Sequence, residues 1–131
     1  MAWIPSSHLD LIKDETKAFA CLATIMRDGS PQLTPIWFNT DGRHIMINSA
    51  KGRVKDMNMR RYKHVALVIL DPNDPYRYIQ IRGEVINITT QGAREHINQL
   101  SKKYTGREVF TGGSADEIRV TYVIQPLHVS I

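Results

Sequence analysis

The sequence predicts a mainly β fold with α elements: an antiparallel β-barrel of six to seven strands with two to three peripheral helices. Short apolar runs recur along the chain, and two of them stop at strong turn pairs, Asp28-Gly29 and Asp41-Gly42. Only short helical patterns interrupt the runs. No strand–helix–strand alternation of the kind that builds a parallel sheet is present.

Each element follows from its local pattern. Ser6 or Ser7 can cap a short first helix carrying Leu9, Leu11 and Ile12. The run 18-AFACLATIM-26 is nearly continuous in apolar residues, and 32-QLTPIWFN-39 follows it. Residues 44-HIMINS-49 then alternate, with Ile45 and Ile47 on one face. Runs joined by Asp-Gly turns read as a meander of antiparallel strands. After a basic stretch with Val54 and Met57 as its apolar edge, 64-HVALVIL-70 is too short and too β-branched for a helix. The turn-rich break Asp71-Pro72-Asn73-Asp74-Pro75 leads into 76-YRYIQIRGEVINI-88. That is a long strand with Ile79, Ile81 and Val85 on one face, where Gly83 marks a bulge or bend. Ala93, Ile97, Leu100 and Tyr104 share the face of an amphipathic helix over 91–104. A polar loop, Thr105–Ala115, precedes 118-IRVTYVIQPLHVSI-131, which supplies the last strand or two.

The 131 residues suit one domain spanning 1–131. A hydrophobic content of 42% and a charged content of 23% are those of a globular chain. Cys21 has no partner cysteine and sits in an apolar run, so a buried inert thiol in a reducing, cytoplasmic compartment is expected. No segment reaches the roughly 18 apolar residues of a membrane span. The N-terminal MAWIPSSHLDLIKDE lacks the basic and long apolar regions of a signal peptide, so none is expected. His8, His44, His64, His96 and His128 are far apart and show no metal-ligand spacing. GxSxG, GxGxxG, P-loop and CxxC motifs are missing, and the carboxylates are scattered. These gaps argue against a self-contained hydrolase. An enzyme of this composition would draw its chemistry from a cofactor.

The most distinctive stretch is 49-SAKGRVKDMNMRRYKH-64, where seven basic side chains face only Asp56. On a helix starting near Lys51, Lys51 and Lys55 share one face while Arg53 and Arg60 share another. Ser49 is a candidate N-cap, and Gly52 lets backbone approach a ligand closely. A helix start with free N–H groups beside Lys and Arg suits a phosphate, but a solvated basic face explains the same residues equally well. Nucleic acid is the third option. It is disfavoured because Trp37, Phe38, Tyr76 and Tyr78 are not interleaved with basic residues as a stacking platform would require.

The order of the blocks says more than any one of them. The succession ATIMRDGSPQLTPIWFNTDGRHIMINSAKGRVKDMNMRR, then DPNDPYRYIQIRGEV, then an amphipathic helix and IRVTYVIQP, resembles the pyridoxamine 5'-phosphate oxidase-like, FMN-binding split β-barrel superfamily. It is most similar to the branch using the deazaflavin coenzyme F420. The likeness covers roughly residues 16–126, and its specific parts are 34-TPIWF-38 and 75-PYRYIQIRG-83 around 51-KGRVKDMNMRR-61.

The resemblance implies a homodimer with two cofactor clefts between subunits and a phosphate grip on Arg53 and Lys55, helped by Lys51. It places the ring near Thr34, Pro35, Ile36 and Trp37 and near Asn48, Ser49 and Ala50. Pro75, Tyr76, Arg77 and Tyr78 would close the cleft from the partner, and Arg60 and Arg61 would either meet an acidic coenzyme tail or remain surface charges. Pro35 lacks a ladder donor, which suits an edge or bulge against which a ring can lie. Trp37 and Phe38 point in opposite directions, so one is core and the other faces the cleft. Tyr76 and Tyr78 share a face that core or dimer packing would also explain.

The activity implied is hydride transfer from reduced F420 to a small conjugated organic substrate, with Tyr78 or solvent supplying the proton and no metal involved. The alternatives are an FMN-binding flavin reductase or oxidase and a non-catalytic F420 or flavin carrier. A true pyridoxamine phosphate oxidase is disfavoured by the short chain and the lack of an added basic motif after Pro126. Substrate choice would fall to Thr105–Ala115 and Trp3–Ser7.

Overall fold

A computed structural model describes residues 3–131. It contains seven strands: β1 (Ala20–Ile25), β2 (Pro31–Ile36), β3 (Phe38–Thr40), β4 (Ile45–Ala50), β5 (His64–Asp71), β6 (Asp74–Thr89) and β7 (Arg119–Ser130). A 3-10 turn spans Ser6–Ile12, and two α-helices follow, α1 (Val54–Arg61) and α2 (Ala93–Thr105). The strands form one antiparallel sheet in the order β2-β1-β5-β6-β7-β4-β3.

The connection between β2 and β3 explains the shape. The two strands lie at opposite ends of the strand order, yet Trp37 alone separates them in the chain. One residue spans under about 4 Å, so the two ends must meet there and the sheet must curl into a split barrel. The run 32–39 is therefore two strands rather than one. Trp37 leaves the ladder and stacks on Tyr104 of α2, with ring centroids 5.2 Å apart and planes at 10°. Pro35 tolerates the missing donor because β2 pairs only with β1.

Both Asp-Gly turns close hairpins, β1–β2 and β3–β4. The expected meander stops there, because β4 pairs next with β7. The C-terminal segment forms one strand. Inward residues of alternate strand positions fill the barrel: Leu22, Phe38, Ile45, Ile47, Leu67, Ile79, Ile81 and Tyr122 are all 2% exposed or less. Burying each such side chain contributes roughly 1.5–3 kcal/mol. Gly83 sits at a register shift of β6, where a Cβ would lie 2.7 Å from the Gln125 carbonyl oxygen. Only glycine fits that approach.

Several local expectations change. Pro5, not Ser6 or Ser7, occupies the N-cap of the first turn, and neither serine caps it. Val54 and Met57 face outward, 46% and 48% exposed, while Asp56, Asn58 and Met59 are the buried face of α1. The Val54–Met57 edge thus points away from the barrel, and Met59 in the core together with polar contacts of Asp56 and Asn58 anchors the helix. Cys21 is half-buried rather than enclosed, because its position in β1 alternates away from the core. Among the described residues, no helix is long and apolar enough to cross a membrane.

Candidate functional site

The turn from β4 into α1 shapes the site. Gly52 adopts φ +90°, a backbone that L side chains rarely take, and turns the chain back over the end of β4. Its N–H donates to the Asp56 carboxylate at 2.9 Å. Asp56 also accepts from Arg60 Nε at 3.0 Å and from the buried Tyr122 hydroxyl of β7. Burial alone would raise its pKa, but these donors outweigh it and hold the carboxyl below its ordinary value. Asp56 thereby fixes both the turn and the helix to the barrel. Ser49 is not the N-cap, since it belongs to β4. Arg53 takes that position and makes no side-chain cap.

A cavity of about 330 Å³ opens beside this turn. Arg53, Lys55 and Arg119 form its cationic wall, and Pro35, Ile36, Trp37, Asn48 and Ser49 also line it. Phe19, Ile97, Leu100 and Phe110 complete an apolar and aromatic floor. Arg53 is half exposed, and its guanidinium's one partner among the described residues, Glu117, stands 3.5 Å away. The Lys55 ammonium makes no hydrogen bond or ion pair among the described residues. Burial, followed by the charges of Arg53 and Arg119, lowers its pKa. Arg119 is nearly enclosed, with Nε donating to Asn48 Oδ1 at 2.9 Å, Nη1 to Glu117 at 2.8 Å, and its guanidinium 5.2 Å from the Phe110 ring. Three cations thus answer to one carboxylate. Ser49 Oγ is buried with no hydrogen-bond partner, and its residue lines the same cavity. An orphaned hydroxyl beside surplus positive charge fits an oxygen-rich anion.

Of the residues the sequence singled out, Pro35, Ile36, Trp37, Asn48, Ser49, Arg53 and Lys55 come together here. Phe38 is the core partner of the Trp37-Phe38 pair, fully buried. Thr34 is half-buried opposite Leu22 in β2, Ala50 is buried at the end of β4, and Lys51 is exposed in the turn; none of the three lines the cavity. Arg60 is bound to Asp56, and Arg61 donates to Asn58 Oδ1 at 3.2 Å, both at the far end of α1. Pro75, Tyr76, Arg77 and Tyr78 start β6, away from this cavity. Arg77 there is tied to Asp10 and Asp71, whose carboxylates raise its pKa. Sequence reading missed Phe19, Ile97, Leu100 and Arg119, whereas Phe110 belongs to the Thr105–Ala115 loop expected to govern substrate choice. Arg119 left one usable signal, a lone cation at the head of the apolar strand 118-IRVTYVIQP.

No group of three or more histidine, cysteine or acidic residues able to hold a metal occurs among the described residues. The architecture is that of a split β-barrel, with a cavity lined by cationic and aromatic residues. The chain belongs to the pyridoxamine 5'-phosphate oxidase family, whose model matches residues 9–130. A solved structure named F420 reductase is 31% identical, with a TM-score of 0.85 over 97% of this chain and 98% of that one. A Listeria innocua protein provisionally named a pyridoxamine 5'-phosphate oxidase is 21% identical, with a TM-score of 0.69 over 95% and 94%. HupZ of Group A Streptococcus is 19% identical, with a TM-score of 0.63 over 96% and 91%. The last two likenesses speak for the fold alone. No curated protein matches the sequence.

Proposed function

We propose that this protein is an F420H2-dependent reductase that binds the deazaflavin coenzyme in this cavity and reduces a small conjugated organic substrate. The family and the F420 reductase likeness point to flavin or deazaflavin oxidoreductase chemistry. The observation that carries the reading is the convergence of Arg53, Lys55 and Arg119 with the orphaned Ser49 hydroxyl on one aromatic-floored cavity. When bound, the reduced coenzyme supplies the hydride. Arg53 and Lys55 hold its phosphate, with Lys51 close by in the turn. Trp37, Pro35 and Ile36 flank the ring, and Phe19, Ile97 and Leu100 exclude water from it.

The reading includes a homodimer in which Pro75, Tyr76, Arg77 and Tyr78 of a partner subunit close the cleft. Its support is exposure that a monomer does not explain, with Tyr76 91% and Leu33 68% exposed. Tyr78 or solvent delivers the proton. A reducing cytoplasm is the compartment proposed for a chain whose one cysteine is unpaired.

FMN is the second reading, favoured by the family match, and would make this a flavin reductase or oxidase. Titration of the purified protein with F420 and with FMN, followed by absorbance and fluorescence, separates the two. Tight F420 binding with weak FMN binding supports the proposal, and a yellow protein with an FMN spectrum overturns it. Single-turnover oxidation of the bound reduced coenzyme by conjugated acceptors then distinguishes a reductase from a carrier.

A further inference from the structure

Behind the cavity wall lies a chain of buried hydrogen bonds whose donors and acceptors can be assigned one by one. Arg119 Nε can only donate, so the Asn48 atom 2.9 Å from it is the accepting oxygen. The Asn48 amide nitrogen must then face the Ala93 carbonyl at 2.9 Å, which can only accept, and His96 Nδ1 at 3.1 Å. Thr121 Oγ1 is a third acceptor for that amide at 3.4 Å, and Asn39 Oδ1, 2.9 Å from His96 Nε2, can only accept, so the ring proton sits on Nε2 and Nδ1 presents its lone pair. The Thr121 hydroxyl, 3.1 Å from Nδ1, is the remaining polar group on that side. Every bond in the chain agrees with one ring state, the neutral imidazole with hydrogen on Nε2.

We propose that His96, although it lines no part of the cavity, is a positioning residue for its cationic wall: the Nε2–H imidazole holds the Asn48 amide, and Asn48 aims the Arg119 guanidinium. The inference rests on the reading of that wall as the coenzyme's anion site. The two faces of Asn48 make the device stiff. Flipping its amide would set the NH2 against Arg119 Nε–H and the oxygen against the Ala93 carbonyl. A proton added at His96 Nδ1 would confront the same NH2. The polar groups bonded to the ring are Asn39 of β3, Asn48 of β4 and Thr121 of β7, and Arg119 of β7 is the charge whose field reaches it. Burial first and that charge second keep the ring neutral, its pKa pushed down to about 4.

The ring state is read by 15N NMR of the coenzyme-free protein at pH 7. A protonated Nε2 with a bare Nδ1 is expected, and the opposite tautomer overturns the proposal. His96→Gln can keep one acceptor and one donor, whereas His96→Leu keeps neither. Exchange of the Arg119 Nε–H is expected to stay slow in wild type and His96→Gln and to quicken roughly tenfold or more in His96→Leu. Equal exchange in all three overturns it. F420 and FMN affinity should fall about tenfold in His96→Leu but not when Arg119→Gln is already present, because the coupled path is then gone. An equal loss in both backgrounds marks a merely structural histidine and overturns the proposal. If neither coenzyme binds wild type, the functional reading fails, while the ring-state and exchange measurements still decide this one.

Discussion

At the last turn of α1 every basic side chain is answered by the protein itself, and at the first turn almost none is. Arg60 meets Asp56, Arg61 meets Asn58, and Lys63 Nζ donates to the Met59 and Arg60 carbonyls at 3.1 and 2.8 Å. Those carbonyls are the open acceptors of a helix C-terminus, where the dipole favours cations. At the other end Arg53 reaches one carboxylate at 3.5 Å, and Lys55 reaches no partner among the described residues. One stretch of like charge is thus split by acceptor supply. Positive charge is left in surplus where the fold supplies too few acceptors, as at Arg53 and Lys55.

The most damaging way to break this contrast is to remove its shared anchor. Asp56→Ala strips acceptors from Gly52, Tyr122 and Arg60 and should cost about 3 kcal/mol of stability in a denaturant titration. Coenzyme affinity should fall with it, because the Gly52 turn loosens. Arg53→Ala with Lys55→Ala attacks only the unanswered end. We expect roughly a hundredfold weaker coenzyme binding by fluorescence titration, with stability changed by under about 0.5 kcal/mol.

Lys103 extends the comparison to a cation that is both buried and answered. Its Nζ donates to the Phe38 carbonyl at 2.9 Å and lies 4.2 Å from the Phe38 ring centroid. Burial outweighs the nearby Asp14 and Glu15 and pushes its pKa down to about 8. Between pH 8 and its unfolded value near 10.5, the unfolded chain holds a proton that the folded chain sheds, so wild-type stability rises with pH there. Lys103→Met should accordingly be more stable than wild type by about 2 kcal/mol at pH 7. That advantage should shrink as pH climbs toward 10, as thermal melts at the two pH values would show. The smallest effect belongs to the answered end. Arg60→Ala with Arg61→Ala should alter coenzyme affinity less than about threefold and cost under about 1 kcal/mol. A larger affinity loss would mean that the far turn reaches a coenzyme tail after all.

Local signals in the sequence carried the strands. Asp28-Gly29 and Asp41-Gly42 closed the hairpins they announced, and Ile79, Ile81 and Val85 face inward together. The break at Trp37 was not legible, because nothing in 34-TPIWF-38 says that its two halves belong to opposite ends of a sheet. That depends on β4 pairing with a strand some seventy residues later, which no local pattern encodes. The same long-range pairing hid Arg119, which lines the cavity and is held there by Asn48 and Glu117. The orientation of α1 misled for another reason. Val54 and Met57 suggested a buried edge, but the helix is held by Asp56 and Asn58, polar residues whose burial depends on partners in other elements.

The pairing of β4 also bears on protein synthesis. Its neighbours in the sheet are β3 and β7, so until residues of β7 leave the ribosome, β3 and β4 form a lone hairpin with little stability of its own. Asn48 and Ser49 lie on that hairpin, and Arg119 begins β7. Without β7 paired to β4, the side chains that line the cavity from these two strands are not brought together.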